Sequence, residues 1–359
     1  MKTKFHSYKN KSLSKGCQLC VKGRKSVLFI TGICPKKCFY CPISENKKDK
    51  DVIHINELKT SNFEKIIEEI ELCSSKGVGI TGGDPLARLK RTCDFIERLK
   101  KHFGKKFHIH LYTSLMLVSE KILGELYESG LDEIRFHADI ENENFLDKIS
   151  LFKKFKWGVG MEIPVLPGKL RETKNLIQIV KGKVDFINLN ELEYSDNESY
   201  DERGFHVKDD LSYAIKGSLE DGKKLLKVCE KEKIACHLCT AKLKDSVQLK
   251  NRMNLRMKNI KKWHDVIVEK GIFARGVIYL EKPEFDYKKK LEKINLKDLK
   301  KLQSNLKFRT EVDKNKKRLL TSIKNIIKYS DKVKELKLVP AIVKEYATSD
   351  QFALEIDFL

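Results

Sequence analysis

No run of about 18 consecutive apolar residues occurs in the 359-residue chain, so no membrane-spanning helix is expected. The first residues, Met1-Lys-Thr-Lys-Phe-His-Ser-Tyr-Lys9, are polar and lack the apolar stretch of a secretory signal. A recognised RNA-binding signature is missing as well. Acids are scarce relative to bases, with 51 Asp and Glu against 73 Lys and Arg and a formal charge of +22. The first two absences point to a cytoplasmic protein with no membrane partner. In a reducing compartment its ten cysteines serve metals more often than disulfides. What is present suffices for one large domain plus an appendage, since 41% of the residues are hydrophobic.

The run Thr31-Gly-Ile-Cys-Pro-Lys-Lys-Cys-Phe-Tyr-Cys-Pro42 places Cys34, Cys38 and Cys41 at CxxxCxxC spacing, directly after an apolar segment that reads as a strand. Thiolates suit iron-sulfur clusters, and three in one short loop can cap three corners of a cubane. The fourth iron is then open to a small chelating molecule. A zinc knuckle, a disulfide and buried apolar thiols are the plainer readings, but structural zinc normally takes four protein ligands and fits this asymmetric triplet poorly. A second motif follows. Gly82-Gly83-Asp84-Pro85 comes after the apolar run Gly77 to Thr81 and opens a helical pattern. Its glycines permit close backbone approach to a ligand, and Pro85 suits the first turn of a helix.

On these two motifs, with Phe39 and Tyr40 before the last cysteine, the chain resembles the radical S-adenosylmethionine enzymes over roughly residues 25 to 195. The resemblance implies a 4Fe-4S cluster on Cys34, Cys38 and Cys41, whose open iron binds S-adenosylmethionine. It implies an electron donor too. Reductive cleavage would give methionine and a 5'-deoxyadenosyl radical that takes a hydrogen atom from a substrate. Gly82, Gly83 and Asp84 would hold the methionine amino group, and Tyr40 would contact the adenine. Asp84 stands where Glu is more usual, which leaves the backbone contacts intact and puts the side-chain role in question.

Downstream of the cysteines, strand and helix patterns alternate, which predicts a parallel sheet with helices outside it. The expected strands are Val27 to Ile33, Gly77 to Thr81, Phe107 to Thr113, Glu133 to Ala138, Val159 to Val165 and Asp185 to Glu191. The fold class is therefore α/β. Six strands fit the partial (β/α)6 TIM-type barrel that the resemblance implies, with a cysteine-containing N-terminal extension and a basic C-terminal appendage. Ser61 with Glu64 and then Ser119 are expected helix caps, and Gly104 and Gly130 expected helix ends. Strand alternation turns Ile109, Leu111, Ile134, Phe136, Met161, Ile163, Ile187 and Leu189 towards the helices. It turns His110, Tyr112, Ser114, Arg135, His137, Glu162, Asn188 and Asn190 into the lumen, where an inert barrel would carry branched apolar residues. Arg135, His137 and Glu162 are the catalytic candidates; Tyr112, Asn188 and Asn190 join Tyr40, Gly82, Gly83 and Asp84 as cofactor-binding candidates. Arg135 paired structurally with Glu162, and His110 as a satisfied core histidine, are the plain alternatives. Glu191 and Glu193 lie at the end of the sixth strand, where one bulge would decide which faces the site.

Two CxxC pairs, Cys17 with Cys20 and Cys236 with Cys239, together offer the four ligands of a second closed site for a cluster or zinc. Cys73, Cys93 and Cys229 lie in helical patterns and read as packing residues. Gly16 to Lys25, Asn190 to Ser195, Cys236 to Cys239 and Lys244 to Arg252 resemble a group of archaeal radical enzymes related to pyruvate formate-lyase activating enzyme. The expected organisation is an extension over 1–25, a barrel over 26–240, and a basic helical segment with a small α+β region over 241–359. The last begins with Lys242 to Lys262, which carries eight cations against Asp245. From about Pro283 a Lys-rich helical pattern follows, then candidate strands Leu336 to Val343 and Phe352 to Phe358. The charge has two readings: the Lys- and Glu-rich composition of proteins from hot environments, or attraction of an acidic macromolecule such as tRNA. A radical enzyme acting on tRNA, a glycyl-radical activating enzyme acting on a protein, and a nonenzymatic metal-containing RNA-binding protein are the functions left open.

Overall fold

The computed structural model describes every residue except 142, 196–198, 210, 211, 285–289 and 292. It divides into two compact units, Met1–Arg252 and Met253–Leu359.

The first unit is built on seven parallel strands: β1 (Ser26–Phe29), β2 (Gly77–Thr81), β3 (His108–Ser114), β4 (Glu133–His137), β5 (Gly158–Val165), β6 (Phe186–Glu191) and β7 (Ala235–Cys239). They lie side by side in chain order. Short antiparallel strands flank both edges, Tyr8–Lys9 on β7 and His54–Ile55 on β1. The six expected strands are present, Gly77–Thr81 with the expected bounds and the other five with shifted ends. The seventh was not expected, because Cys-His-Leu-Cys reads as a ligand motif before it reads as a strand.

A seven-residue helix, α1 (Lys15–Val21), precedes the sheet. The helices α2 (Phe63–Leu72), α3 (Leu89–Phe103), α4 (Glu120–Glu128), α5 (Leu170–Val180) and α6 (Ser218–Lys231) connect successive strands, with a 3-10 helix, Leu146–Lys154, serving between β4 and β5. Ser119 caps α4 through the Ile122 N–H, and Gly104 ends α3 at a φ of 82°. The cap of α2 is a correction. Asn62 rather than Ser61 takes the position, and its carbonyl oxygen accepts from the N–H groups of Glu64 and Lys65. A cap needs extended backbone and an acceptor aimed at the free N–H groups, which Asn62 supplies one residue later.

All eight residues expected to face the helices, from Ile109 to Leu189, are fully buried in one core with Ile66, Ile70, Ile96 and Leu99. Each such side chain contributes about 1.5–3 kcal/mol by leaving water. Packing on that face leaves the polar residues of the same strands nowhere to go but the opposite side.

In the second unit a six-stranded antiparallel sheet includes Val339–Tyr346 and Ala353–Phe358, which overlap the two apolar segments seen in the sequence. Its buried charge centre is Arg318, held by Glu345 at 2.6 and 2.8 Å and by Asp313 at 3.0 Å. Part of the Lys-rich pattern after Pro283, at 285–289 and 292, lies outside the described residues; Leu296–Asn305 is a helix.

The basic stretch from Lys242 is not one regular helix. A short turn, Ala241–Leu243, leads into a π-helical segment, Lys244–Leu249, and then the helix Lys250–Ile260. At least four of its eight cations are already engaged. Lys244 pairs with Glu193, Lys262 pairs with Glu311, Arg252 is buried against Glu57, and Arg256 is buried and donates to the Ala347 carbonyl at 3.1 Å. Among the described residues no helix is long and apolar enough to cross a membrane.

Candidate active site

The cysteine loop leaves β1 at its carboxyl end, where barrels carry their chemistry. Gly32 makes the turn possible, since a Cβ there would lie 1.7 Å from the Lys47 carbonyl oxygen. The Gly32 N–H donates to the Lys50 carbonyl at 2.8 Å and Thr31 Oγ1 donates to Asp51 at 2.9 Å. Arg88 and Arg91 clamp the same carboxylate at 2.9 and 2.6 Å, and the Arg91 contact leads in holding Asp51 far below the usual carboxylate range. Beyond this anchor Cys34, Cys38 and Cys41 are half-buried. Burial pushes the Cys34 thiol up to about 11 and the Cys38 thiol in the same direction. Lys36 pairs with Asp139 at 3.6 Å, fixing the loop to the segment after β4.

The glycines of Gly82-Gly83-Asp84 face this loop. The Gly83 N–H donates to the Thr31 carbonyl at 2.7 Å and the Asp84 N–H to the Ile33 carbonyl at 2.9 Å. A Cβ on Gly82 would stand 2.4 Å from Thr31 O, and one on Gly83 2.4 Å from Ile33 O. The close approach that requires glycine is thus to the cysteine loop itself. Asp84 is fully buried, and its carboxylate accepts from Leu86 N at 3.0 Å, Thr113 Oγ1 at 2.9 Å, Ser114 N at 3.0 Å and Ser114 Oγ at 2.7 Å. The side-chain role that the Asp-for-Glu difference put in question is, in this structure, internal to the fold. The shorter side chain, compared with Glu, turns inward and ties the end of β2 to the end of β3.

Tyr40 hydrogen-bonds through its hydroxyl to His137 Nε2 at 2.9 Å, and His137 Nδ1 lies 3.1 Å from the Glu162 carbonyl. A carbonyl can only accept, so Nδ1 carries the proton and Nε2 accepts from Tyr40. Burial, then the Lys36 charge, holds His137 down to about 4, hence neutral at pH 7. His137 therefore positions Tyr40.

Arg135 is buried at the centre of the lumen. It donates to Glu133 Oε1 at 2.7 Å, Glu162 Oε2 at 2.7 Å, Tyr112 Oη at 3.2 Å and Ser14 Oγ at 3.1 Å. Glu162 accepts in addition from Asn188 Nδ2 and Asn190 Nδ2, both at 3.0 Å. Burial would raise its pKa, but Arg135 and the two amides outweigh that, so the net direction is down. Tyr112, Arg135, Glu162, Asn188 and Asn190 are thus one network. The structure thus contains the Arg135–Glu162 pairing that was the plain alternative to a catalytic role, and a carboxylate held by this many donors is a weak general base. Glu133 and Ser14 belong to the same network and were missed. Glu133 heads β4, and alternation from Arg135 would have placed it in the lumen.

The floor of the lumen is closed by α1. A Cβ on its Gly16 would lie 2.5 Å from both Arg135 Nη2 and His110 Nδ1. Cys17 follows, its sulfur receiving Asn188 Nδ2 at 3.1 Å and Arg135 Nη2 at 3.5 Å. Burial pushes this thiol up, but Arg135 and His237 more than offset it and bring it down to about 7. The expected partnership of Cys17 and Cys20 with Cys236 and Cys239 does not hold as a set of four. In β7 residues three apart point to opposite faces. Cys236 packs among the helices with Cys229, whereas Cys239 lies with Val21 and Leu243. Glu191 accepts from the Ala241 N–H at 2.9 Å and Glu193 takes Lys244, so one oxygen of each carboxylate is engaged by the segment after β7. Among the described residues, no three ligating side chains are already gathered at metal-ligand spacing, the loop cysteines included.

The family described as the radical SAM superfamily matches residues 28–172. A protein of Methanocaldococcus jannaschii, named "Putative glycyl-radical enzyme activating enzyme MJ0021", is 45% identical over 281 residues, 75% of this chain and 74% of that protein. The chain belongs to the radical S-adenosylmethionine superfamily. A PqqA peptide cyclase of Bradyrhizobium diazoefficiens is 25% identical over 163 residues, 43% of this chain and 40% of the cyclase. Of solved structures, methylornithine synthase (PylB) aligns with 60% of this chain and 70% of its own at 15% identity and a TM-score of 0.41. A radical S-adenosylmethionine enzyme uses a 4Fe-4S cluster, S-adenosylmethionine and an electron donor. The residues present fit that equipment: three half-buried thiols in a loop braced at the carboxyl end of β1, beside the backbone of the Gly82–Asp84 turn.

Proposed function

We propose that this enzyme binds its cluster through Cys34, Cys38 and Cys41, cleaves S-adenosylmethionine reductively, and takes a hydrogen atom from a protein partner, as a glycyl-radical activating enzyme. The cluster, when bound, supplies one electron to the sulfonium, releasing methionine and a 5'-deoxyadenosyl radical. The chain's own residues shape the site. Asp84 fixes the Gly82–Gly83 backbone against the cysteine loop, and that backbone rather than the carboxylate faces the methionine end. Tyr40, oriented by neutral His137, faces the adenine. Arg135 and Glu162 hold Tyr112, Asn188 and Asn190 in place below it.

The observation that carries the reading is the braced triplet of thiols against the glycine turn; the protein substrate rests on the name of the M. jannaschii relative. A recess of about 240 Å³ beside the loop, lined by Phe39, Glu141, Pro167, Lys169, Arg203 and Phe205 among others, offers an approach for a peptide. The test is 5'-deoxyadenosine formation by anaerobically reconstituted enzyme with dithionite, followed by a glycyl-radical signal on a co-incubated partner. Absence of 5'-deoxyadenosine from fully loaded enzyme would leave a nonenzymatic metal-containing RNA-binding protein.

One observation favours tRNA as the substrate instead. A second cavity, of about 460 Å³, is lined by Lys15, Lys22, Arg24, Lys76 and Lys106 with Leu19. Among the described residues no carboxylate pairs with any of the five cations. A tRNA reading requires binding whose affinity falls steeply with salt.

A further inference from the structure

Outside the cluster loop, the thiols of α1 lie beside a histidine that nothing else in the lumen uses. Cys17 and Cys20 are three residues apart on α1, which puts them on one face of the helix. Along β7, alternation puts His237 and Cys239 on one face and Cys236 on the other. The two faces meet. His237 is in register with Asn188 and Cys239 with Asn190 on the neighbouring β6. Asn188 in turn donates to Cys17 Sγ at 3.1 Å, so the first thiol of α1 stands at the level of His237. Cys239 packs with Val21, the residue after Cys20.

His237 is only 4% exposed and lies against the Cys17 thiol, which it helps draw down, yet neither ring nitrogen makes a well-formed hydrogen bond. A buried imidazole with both nitrogens unsatisfied costs free energy that a core histidine normally avoids. The plain reading, four residues packed for their bulk, accounts for the thiols but not for this ring.

We propose that Cys17, Cys20, Cys239 and His237 bind one zinc ion, in a Cys3His site that pins α1 to β7. Three thiolates and one imidazole are a set that closed structural zinc sites use. The N–H groups of Asn188 and Arg135 already point at the Cys17 sulfur, as outer-shell donors do toward a metal-bound thiolate. The four side chains, like the loop thiols, do not converge on a common point, so binding proceeds with side-chain rotation. The site is independent of the radical chemistry, because it shares no ligand with the cluster loop.

Zinc and iron per chain would be measured on full-length protein purified without oxygen. About one zinc is expected in the wild type and in the Cys34→Ala, Cys38→Ala, Cys41→Ala triple variant, none in Cys17→Ser with Cys20→Ser, and one again in Cys236→Ser. No zinc in the wild type, zinc retained without Cys17 and Cys20, zinc lost from Cys236→Ser, or iron in its place in the triple variant would overturn the assignment. Should the double variant not fold, cobalt loading of the Cys34→Ala, Cys38→Ala, Cys41→Ala variant, which lacks the loop thiols, decides. Intense visible absorption of a tetrahedral thiolate site, shifted in His237→Gln, supports the site; the weak spectrum of octahedral cobalt refutes it.

Discussion

Asp84 is bound twice by Ser114, through the backbone N–H at 3.0 Å and the hydroxyl at 2.7 Å. The pair fastens the glycine turn after β2 to the end of β3, and with it the floor on which the cysteine loop rests. Asp84→Ala removes an acceptor that serves four donors. It should destabilise the protein by about 2–4 kcal/mol in urea melts, since hydrogen bonds to a charged group are worth roughly 1.5–3 kcal/mol each and the donors are left unpaired. Asp84→Glu, although it restores the residue more usual in the family, should also destabilise, by about 1–3 kcal/mol, because the extra methylene has no space. A melt of Asp84→Glu equal to wild type would refute the inward role.

Cys38→Ala should lose the loop cluster and all 5'-deoxyadenosine formation, measured as iron, sulfide and product after anaerobic reconstitution. Cys93→Ser, in α3 and outside the loop, should change none of the three.

The Arg135–Glu162 pair gives a stability prediction distinct from catalysis. Removing one partner of a buried ion pair leaves an uncompensated charge and costs about 3–5 kcal/mol. Arg135→Met should therefore destabilise strongly, and Glu162→Gln by less because its amide still accepts from Asn190. In the double variant the two losses should add to less than their sum; strict additivity in urea melts would mean the pair is not coupled.

Lys25 offers a pH test. Its ammonium is buried 2.7 Å from His108 Nδ1, and burial holds it down to about 7. Unfolded, it titrates near 10.4. Between those values the unfolded chain binds the extra proton, so stability should rise with pH from about 7 to about 10 and the contribution should be lost as pH falls back through that window. Lys25→Met should flatten the rise and stabilise the protein at pH 7. An unchanged pH slope in the variant would show that Lys25 is charged in the folded state.

Much of this fold was legible because parallel strands buried by helices are nearly continuous apolar runs, and six of them stood out. Alternation within those runs correctly separated Ile134 and Phe136 from Arg135 and His137. What could not be read was partnership. Nothing in the order of residues shows that the hydroxyl of Ser14, just before α1, meets Arg135, since that segment reaches the strand only after folding. Ala235–Cys239 was obscured by its own cysteines, and the spacing that suits a metal knuckle is the spacing a strand splits between its faces.

Gly16, wedged between Arg135 and His110, also bears on the order in which the molecule can be made. Helix α1 precedes in the chain the strands that seat it, β3, β4, β6 and β7, so that seat is incomplete until residue 239 has been synthesised. Seven residues are too few to hold a helix in water alone. Helix α1 must therefore form as it docks on those strands, and its docking closes the unit.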